Sequence, residues 1–372
     1  LLSREDSDSK GAVVTAEDPV SYYTANPLAP YGFNQWTGPE PHGADIKNSG
    51  LFRDEGYVEQ AKEWLRRRAD SKTDAPFLLI ISLVNPHDIV FWPPWSLWQS
   101  KFLDLGDIPD IGAAESEMGV PSREPSVLAA YRKQYPSAYG PSSIVNWLYA
   151  RDPERYRKFY CSLLRRSDRH LGEILSCLDE TQLRTSTSVV FTSDHGELLG
   201  AHGGLHQKWY NAFEETIRVP LVISSPKHSA RAGEVTSACS DHLDLVPTLL
   251  KLADLPEALP DELRESFESV PTLPGVDLFG DGDAKPSYFV THDHILEGSH
   301  REAAFGRRFP WVGAIWPMRY KPLDAVNTAV EAVIHELADS SGASALWKLV
   351  RYFDPNHSCV QPADEWSLFN LE

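Results

Sequence analysis

A short apolar run that stops abruptly at polar residues places the strongest limit on how this chain can fold. Residues 189–191 are Val, Val and Phe, which have the character of a buried parallel strand, and the polar residues 192–196 end that pattern. In open α/β sheets, ligands bind outside the carboxyl ends of the strands. The sequence therefore predicts an α/β fold with a ligand site directly after residue 192.

The residues that follow this strand carry metal-binding and anion-binding groups. Asp194 offers carboxylate oxygens to a divalent cation, and His195 offers an imidazole nitrogen or a hydrogen bond. Lys208 adds a mobile positive charge that suits an anionic substrate. A capped strand end followed by surface histidines is the alternative interpretation. Because His202 and His206 lie in the same short stretch, we favour a metal-assisted hydrolase site.

A further candidate histidine follows another apolar run. His87 comes directly after Asn85 and Pro86, and the proline ends the strand and directs the next side chain out of the sheet. Imidazole titrates near neutrality, so His87 could protonate a leaving oxygen or hold an anion. Packing within a turn is the alternative. Trp92 suits either a substrate pocket or an anchor for a long loop, and we take it as a substrate-binding candidate.

Several stretches together resemble the sulfatase family of the alkaline phosphatase superfamily. They follow the family's order from about residue 31 to the end of the chain, and they read PFLLIISLVNPHD, TSDHGELLGAHG, FEETIRVPLVI, SDHLDLVPTLL, LPGVDLF and DEWSLFNLE. The resemblance implies an alkaline-phosphatase-like α/β fold, a three-layer αβα sandwich with a mostly parallel sheet. It also implies a catalytic domain over residues 1–270 that lacks its N-terminal portion. A small C-terminal α+β subdomain with an antiparallel sheet is expected over residues 271–372.

The resemblance also assigns roles to individual residues. It implies hydrolysis of a small sulfate ester, with Asp194 and His195 holding a divalent metal. That metal is calcium by resemblance, and magnesium or manganese is also compatible. Lys208 matches the family's sulfate-binding lysine, and His87 matches a histidine of the catalytic pocket that assists the leaving group. His202 matches a histidine that often follows the Asp-His-Gly turn, and we expect it to contact the substrate.

The nucleophile segment of the family is not found in the sequence. Ahead of the stretches quoted above, sulfatases carry paired metal-binding aspartates and a C/S-x-P-x-R motif that is matured to formylglycine, and neither precedes Pro76 here. We therefore expect a fragment of a longer formylglycine-type enzyme, with little or no activity on its own. Two alternatives stay open: a phosphodiester or phosphonate monoester hydrolase of the same superfamily, and a non-catalytic protein that has lost its nucleophile.

The overall charge narrows the range of partners. A formal net charge of −18 at pH 7 repels nucleic acids and anionic membranes. The longest apolar run, about eight residues near Phe77, is too short to span a bilayer. A sulfate or phosphate ester is itself an anion, so a metal and Lys208 have to create positive charge locally. The expected partner is a small anionic ester, with no nucleic acid and no membrane span.

Periodicity predicts the remaining elements. Apolar residues at helical spacing predict helices over residues 57–68, 153–178 and 243–253. Apolar runs predict strands near Phe77 and over residues 219–224. Residues 91–143 lack clear periodicity and predict a long insertion. After Pro271 we expect strands over residues 288–291, 311–316 and 347–353, with a helix within residues 325–338.

Overall fold

The computed structural model describes most of the chain, with its largest continuous part at residues 141–256. The other described residues are 28–29, 32–33, 49–71, 73, 75–96, 105, 107–112, 119–120, 123–138, 273–280, 285–292, 323–338, 343–356 and 363–371. Most of the N-terminal 30 residues and the expected strand over residues 311–316 lie outside these ranges.

Two long helices form one side of the molecule. Helix α1 spans Gly50–Asp70, and after α2 (Ser126–Gln134) and α3 (Ser142–Ala150), helix α4 spans Pro153–Glu180. Asp152 begins α4 because its side chain accepts the amide of Arg155 (3.0 Å) and Pro153 occupies the first turn. Helices α1 and α4 bury one cluster of side chains between them: Val58, Leu65, Ile174, Cys177 and Leu178. The helices predicted over residues 57–68 and 153–178 are confirmed.

The strand that ends at the candidate site pairs differently from the prediction. Strand β1 (Val189–Thr192) pairs antiparallel with β2 (Leu221–Ser224), and neither strand contains a fully buried residue. The apolar segment over residues 75–84 runs alongside without forming a strand ladder with any described part of the chain. The prediction of a buried parallel strand over residues 189–191 is therefore wrong for the described pairing, although the mixed α/β class is confirmed. The physical reason is that the segment near Phe77, which parallel pairing would recruit, supplies no ladder bonds to β1.

Among the described residues, helix α5 and four antiparallel strands follow in the C-terminal part of the chain. Helix α5 spans Leu245–Leu252 and confirms the helix predicted there. Strands β3 (Ser287–His292), β4 (Ala329–Ala338), β5 (Ser344–Phe353) and β6 (Glu365–Asn370) form one sheet in the order β3-β4-β5-β6. The antiparallel C-terminal sheet is as expected, but the helix predicted within residues 325–338 is wrong. Pairing with strands on both sides fixes this segment as β4, and that tertiary context outweighs its local helical character.

One apolar core joins the C-terminal sheet to the rest of the molecule. Val330 and Tyr352 of the sheet belong to the same buried cluster as Leu198 and Phe213, which lie beyond β1. The boundary near residue 271 stays a prediction. Within the described residues, however, the two predicted domains share a core.

The region predicted to be a long irregular insertion is partly helical. Helices α2 and α3 lie within or directly after residues 91–143, and their buried side chains include Val127, Leu128, Val145 and Leu148. Short helical turns occur at His87–Phe91, Trp92–Trp95, Tyr135–Ala138, Leu183–Ser186, Ala201–Gly204, Glu214–Ile217, Pro226–Arg231 and His242–Asp244. Among the described residues, no helix combines the length and the apolar character that crossing a bilayer requires.

Candidate active site

The turn after β1 directs one carboxylate outward and one inward. The amide of Gly196 donates to the carbonyl oxygen of Thr216 (2.7 Å), and the amide of Glu197 donates to that of Glu215 (2.9 Å). A Cβ atom on Gly196 would lie 2.1 Å from the Glu215 carbonyl oxygen, so only glycine permits this approach. As a result Asp194 projects into solvent, with 85% of its side chain exposed, and Glu197 is buried.

The hydrogen bonds of His195 define its tautomer. Its Nδ1 lies 2.9 Å from the carbonyl oxygen of Gly196, which can only accept, so Nδ1 carries the proton. Nε2 is then left with its lone pair, and it lies 3.5 Å from Oδ2 of Asp194. Burial and the charge of Lys208 lower the pKa of His195, against the opposing effects of Gly196 and Asp194. The ring is therefore held neutral, which is the form that binds a metal or accepts a hydrogen bond.

Lys208 is brought to the same place by pairing of the backbone. The amide of Leu198 donates to the carbonyl oxygen of Gln207 (3.0 Å), which joins the Lys208 segment to the turn after β1. The Lys208 ammonium lies over the ring of Trp209, 5.2 Å from its centroid. Its positive charge lowers the pKa of both His87 and His195.

His87 belongs to a segment that lies well before β1 in the sequence. It is the first residue of the helical turn His87–Phe91. Although part of His87 is exposed, the surrounding protein desolvates the ring, and together with Lys208 and His195 this lowers its pKa to about 4. The Asp194 carboxylate opposes that effect. These contributions place Lys208, His195 and Asp194 within electrostatic range of His87. The structure therefore brings together His87, Asp194, His195 and Lys208, which the sequence selected from separate segments.

The described residues supply only part of a metal site. Asp194 has an exposed carboxylate and His195 an imidazole nitrogen with a free lone pair, and both donors suit a divalent cation. In the part of the chain that the structure describes, no group of three or more His, Cys, Asp or Glu side chains is arranged to hold a metal ion. Calcium takes six to eight oxygen ligands, so only the Asp194 carboxylate matches its preference, whereas the His195 nitrogen suits a transition metal better. The two residues fit a cation only as contributors to a larger ligand set.

His202 is already engaged by protein groups. Its ring stacks on Phe213 at a centroid distance of 3.7 Å, and its Nε2 lies 3.0 Å from Oε2 of Glu215. The neighbouring carboxylate, Glu214, accepts a hydrogen bond from the Lys348 ammonium (2.7 Å). Contact between His202 and a substrate stays a prediction, and the structure adds a bracing role to it.

Trp92 does not line a substrate pocket. Its side chain is fully buried and packs against the rings of Tyr156 and Phe159, at centroid distances of 5.5 and 5.8 Å. A side chain without solvent exposure cannot contact an incoming ester. The structure thus favours the alternative in which Trp92 anchors the loop after His87 on the core.

Sequence reasoning missed Glu197, a buried carboxylate that bonds to the backbone next to Lys208. Its Oε1 accepts hydrogen bonds from the amides of Gln207 (2.6 Å) and Leu199 (3.3 Å) and from the hydroxyl of Tyr156 (3.2 Å). Its position directly after Asp-His-Gly was the available signal. A glutamate there resembles any surface carboxylate until the turn is seen to face inward.

Comparison with known proteins gives one family match. The family model described as Sulfatase matches residues 14–255. A multifunctional alkaline phosphatase superfamily protein of Trinickia caryophylli is 41% identical over 95 residues, which are 26% of this chain and 18% of that protein. The choline-sulfatase of Rhizobium meliloti (strain 1021) is 27% identical over 242 residues, which are 63% of this chain and 42% of that protein. The chain thus spans less than half the length of either curated relative.

Among solved structures, the phosphonate monoester hydrolase of Silicibacter pomeroyi aligns with a TM-score of 0.46 and 16% sequence identity. The alignment covers 94% of this chain and 62% of that one.

Proposed function

This chain belongs to the sulfatase family of the alkaline phosphatase superfamily, and from that premise we propose that it forms part of an enzyme that hydrolyses small sulfate esters. The family has the alkaline-phosphatase-like α/β fold. The observation that supports the proposal most directly is the electrostatic coupling of His87, Asp194, His195 and Lys208, four residues that family motifs contribute from separate parts of the sequence.

The four groups would have different roles in ester hydrolysis. A sulfate ester carries negative charge on the sulfuryl oxygens, and the Lys208 ammonium would bind that charge and stabilise it as it increases in the transition state. As the bond between sulfur and the leaving oxygen breaks, electron density moves onto that oxygen. His87 would donate a hydrogen bond or its proton to the same oxygen. In the free protein His87 is neutral near pH 7, because its pKa lies at about 4. Its N–H can therefore donate a hydrogen bond, and transfer of a proton requires that the bound anionic ester first raise that pKa.

The metal and the nucleophile are finer parts of the proposal. Asp194 and His195 would hold a divalent cation, by resemblance calcium, which would supply further positive charge for the sulfuryl oxygens. The nucleophile by resemblance is a hydrated formylglycine, and no C/S-x-P-x-R motif precedes Pro76 in this sequence. We therefore propose that the 372-residue chain by itself has little or no activity.

A second candidate is hydrolysis of phosphodiesters or phosphonate monoesters. A relative that is 41% identical over 95 residues is described as a multifunctional protein of the superfamily, a description that does not restrict the substrate to sulfate esters. Lys208 and the metal ligands would serve either ester, because both substrates present a tetrahedral anion.

The test uses the protein at its full natural length, with an aryl sulfate and an aryl phosphodiester as substrates. We expect faster turnover of the sulfate, and we expect Lys208→Ala and Asp194→Ala each to lower its turnover by roughly 10²–10³-fold. Lys227→Ala is the control, because that lysine pairs with Asp254 on the surface. Faster turnover of the phosphodiester would favour the second candidate function. Turnover that is unchanged by both Lys208→Ala and Asp194→Ala would contradict both candidate functions.

The 372-residue chain should be assayed in parallel. If the purified chain turned over an aryl sulfate, and that activity survived Lys208→Ala but not Asp194→Ala, the argument from the missing nucleophile would be wrong.

A further inference from the structure

Two buried carboxylates fasten the His87 turn to the start of α1. Asp88 is fully buried, and its two oxygens accept hydrogen bonds from the first amides of α1, those of Gly50 (3.0 Å) and Leu51 (2.8 Å). These amides have no partner inside the helix, and the positive end of the helix dipole favours a negative charge there. Asp88, which directly follows His87 in the sequence, is therefore fixed against the N-terminus of α1.

Asp54 makes the reciprocal connection from the helix. It lies in the second turn of α1 and is also fully buried. Its oxygens accept hydrogen bonds from the amides of Val84 (2.7 Å) and Asn85 (3.0 Å). The main chain is thus fixed on both sides of His87, before it by Asp54 and after it by Asp88. We call this pair of carboxylates the double clamp.

The backbone at the start of α1 is shaped for this contact. A Cβ atom on Gly50 would lie 2.6 Å from Oδ2 of Asp54 and 2.5 Å from Nδ2 of Asn85, so a side chain there would force the clamp apart. The hydroxyl of Ser167 on α4 adds a hydrogen bond to the carbonyl oxygen of Asn85 (3.1 Å). Helices α1 and α4 therefore both bond to the few residues that carry His87.

The clamp carries an energetic penalty that apolar packing would avoid. Burial raises the pKa of Asp88 to about 6, and the nearby charge of Asp54 adds to the effect, while the bonds from Leu51 and Gly50 oppose it. Burial likewise raises the pKa of Asp54. Apolar side chains of similar size would bury the same segment without two neighbouring charges. They would not fix the direction of four backbone amides, and directional bonds are what the orientation of the next side chain requires.

We propose that Asp54 and Asp88 are positioning residues that hold the His87 imidazole within reach of the leaving-group oxygen. This inference rests on the proposed function, because it takes His87 as the donor to that oxygen. Neither carboxylate touches the substrate. They act through the backbone of residues 84–88, whose displacement by about 1 Å would weaken catalysis by around 100-fold.

The experiment measures how the rate depends on the leaving group, in the protein at its full natural length. Nitrophenyl sulfate has a good leaving group that needs little help, and methoxyphenyl sulfate has a poor one that needs a donor. His87→Gln is the reference, and it should slow the methoxyphenyl ester at least 10-fold more than the nitrophenyl ester. Asp88→Asn and Asp54→Asn should shift this ratio in the same direction, by about 3-fold to 10-fold.

Asp244→Asn is the matched control. Asp244 is also fully buried and accepts two backbone amides, those of Val276 (2.8 Å) and Asp241 (3.1 Å), which lie outside residues 84–88. It also pairs with the Lys285 ammonium (2.6 Å). Its replacement should lower the thermal unfolding temperature and leave the ratio between the two esters unchanged. Asparagine keeps the volume of Asp88 and removes a buried charge, so we expect a folded variant, which circular dichroism would verify.

The outcomes separate the two levels of the proposal. If His87→Gln shifts the ratio and neither aspartate variant does, the positioning role is overturned and the proposed function stands. If His87→Gln itself leaves the ratio unchanged, the donor role of His87 fails and the positioning role fails with it. Should neither Asp54→Asn nor Asp88→Asn fold, the clamp is a requirement of the fold alone, and the inference is overturned.

Discussion

The hydroxyl of Tyr156 lies 3.2 Å from Oε1 of Glu197, and the same oxygen accepts the amide of Gln207, the residue before Lys208. A buried helix side chain is thereby linked through one carboxylate to the segment that carries the candidate sulfate-binding lysine. Burial raises the pKa of Glu197, against the opposing effects of its backbone hydrogen bonds and the charge of Lys208.

Removal of Glu197 should therefore affect stability strongly. We expect Glu197→Ala to lower the free energy of unfolding by about 2–4 kcal/mol, because three donors lose their acceptor in the core. Glu197→Gln should have a smaller effect, since the amide oxygen can still accept. Urea denaturation measures both, with Glu63→Ala as the control on an exposed ion pair. Equal effects of Glu197→Ala and Glu63→Ala would contradict the prediction.

The coupling of His87 to its neighbours predicts the direction of pKa changes. Lys208→Ala should raise the pKa of His87, because it removes a positive charge that lowers it, and Asp194→Asn should lower it further. Added inorganic sulfate should also raise it, since a bound dianion opposes the positive charge of Lys208. Histidine titrations followed by NMR would measure these shifts. If neither Lys208→Ala nor Asp194→Asn changed the pKa of His87, the ring would lie outside the electrostatic range of these groups.

The lowered pKa values of His87 and His206 predict how their ionisation affects stability as the pH changes. Burial and neighbouring charges lower the pKa of His87 to about 4, and burial lowers that of His206 to about 3, against a value of 6.5 for an unperturbed histidine. At these two histidines the folded protein binds fewer protons than the unfolded chain, so their contribution to stability should fall as the pH falls from about 6.5 towards 4. Asp88, whose pKa burial raises to about 6, opposes this trend. His206→Gln should make that decline shallower in thermal unfolding scans. An unchanged decline would exclude His206 as a source.

The ion pair between Lys348 and Glu214 should respond unequally to loss of its two partners. The Lys348 side chain is 1% exposed and that of Glu214 is 35% exposed, and the ammonium lies 2.7 Å from the carboxylate. Glu214→Ala leaves a buried charge unpaired and should lower the free energy of unfolding by about 3 kcal/mol. Lys348→Met keeps the packing of the stem and leaves a carboxylate that water can reach, so its effect should be well under half as large. Chemical denaturation of both variants would show the asymmetry or refute it.

Exposed apolar side chains of residues 75–84 and of β2 predict self-association of the 372-residue chain. Leu78 and Ile80 are each 60% exposed and Val222 is 58% exposed. The backbone of residues 75–84 also forms no strand ladder with the described residues, and such edges invite pairing with other chains. Light scattering should reveal association that Ile80→Lys and Val222→Thr reduce. A sharp, reversible unfolding transition of a monomer would argue against this prediction.

Local patterns predicted the elements that local forces determine. The apolar stripe of α4 and the cap at Asp152 lie within one stretch of chain, so the sequence was sufficient to predict that helix. Strand β4 was predicted as helix because the partners that hold it extended lie many residues away, in β3 and β5. The pairing of β1 was predicted incorrectly for the same reason.

The candidate site divides along similar lines. The candidate ligand-binding groups Asp194 and His87 lie at the ends of apolar runs, where the sequence pattern distinguishes them. The carboxylates that organise the site gave no such signal. Asp54 accepts amides that are 30 and 31 residues away, and Asp88 accepts amides that are 37 and 38 residues away, so each resembles a surface residue until the chain is folded.

The bond from Lys348 to Glu214 and the shared burial of Phe213 with Tyr352 bear on how this protein could be recombined with its relatives. The C-terminal sheet is not an interchangeable module, because its side chains pack against Phe213 and bond to Glu214, which follow Lys208 in the sequence. A chimera that grafts a relative's sheet onto this chain would have to import the matching loop as well.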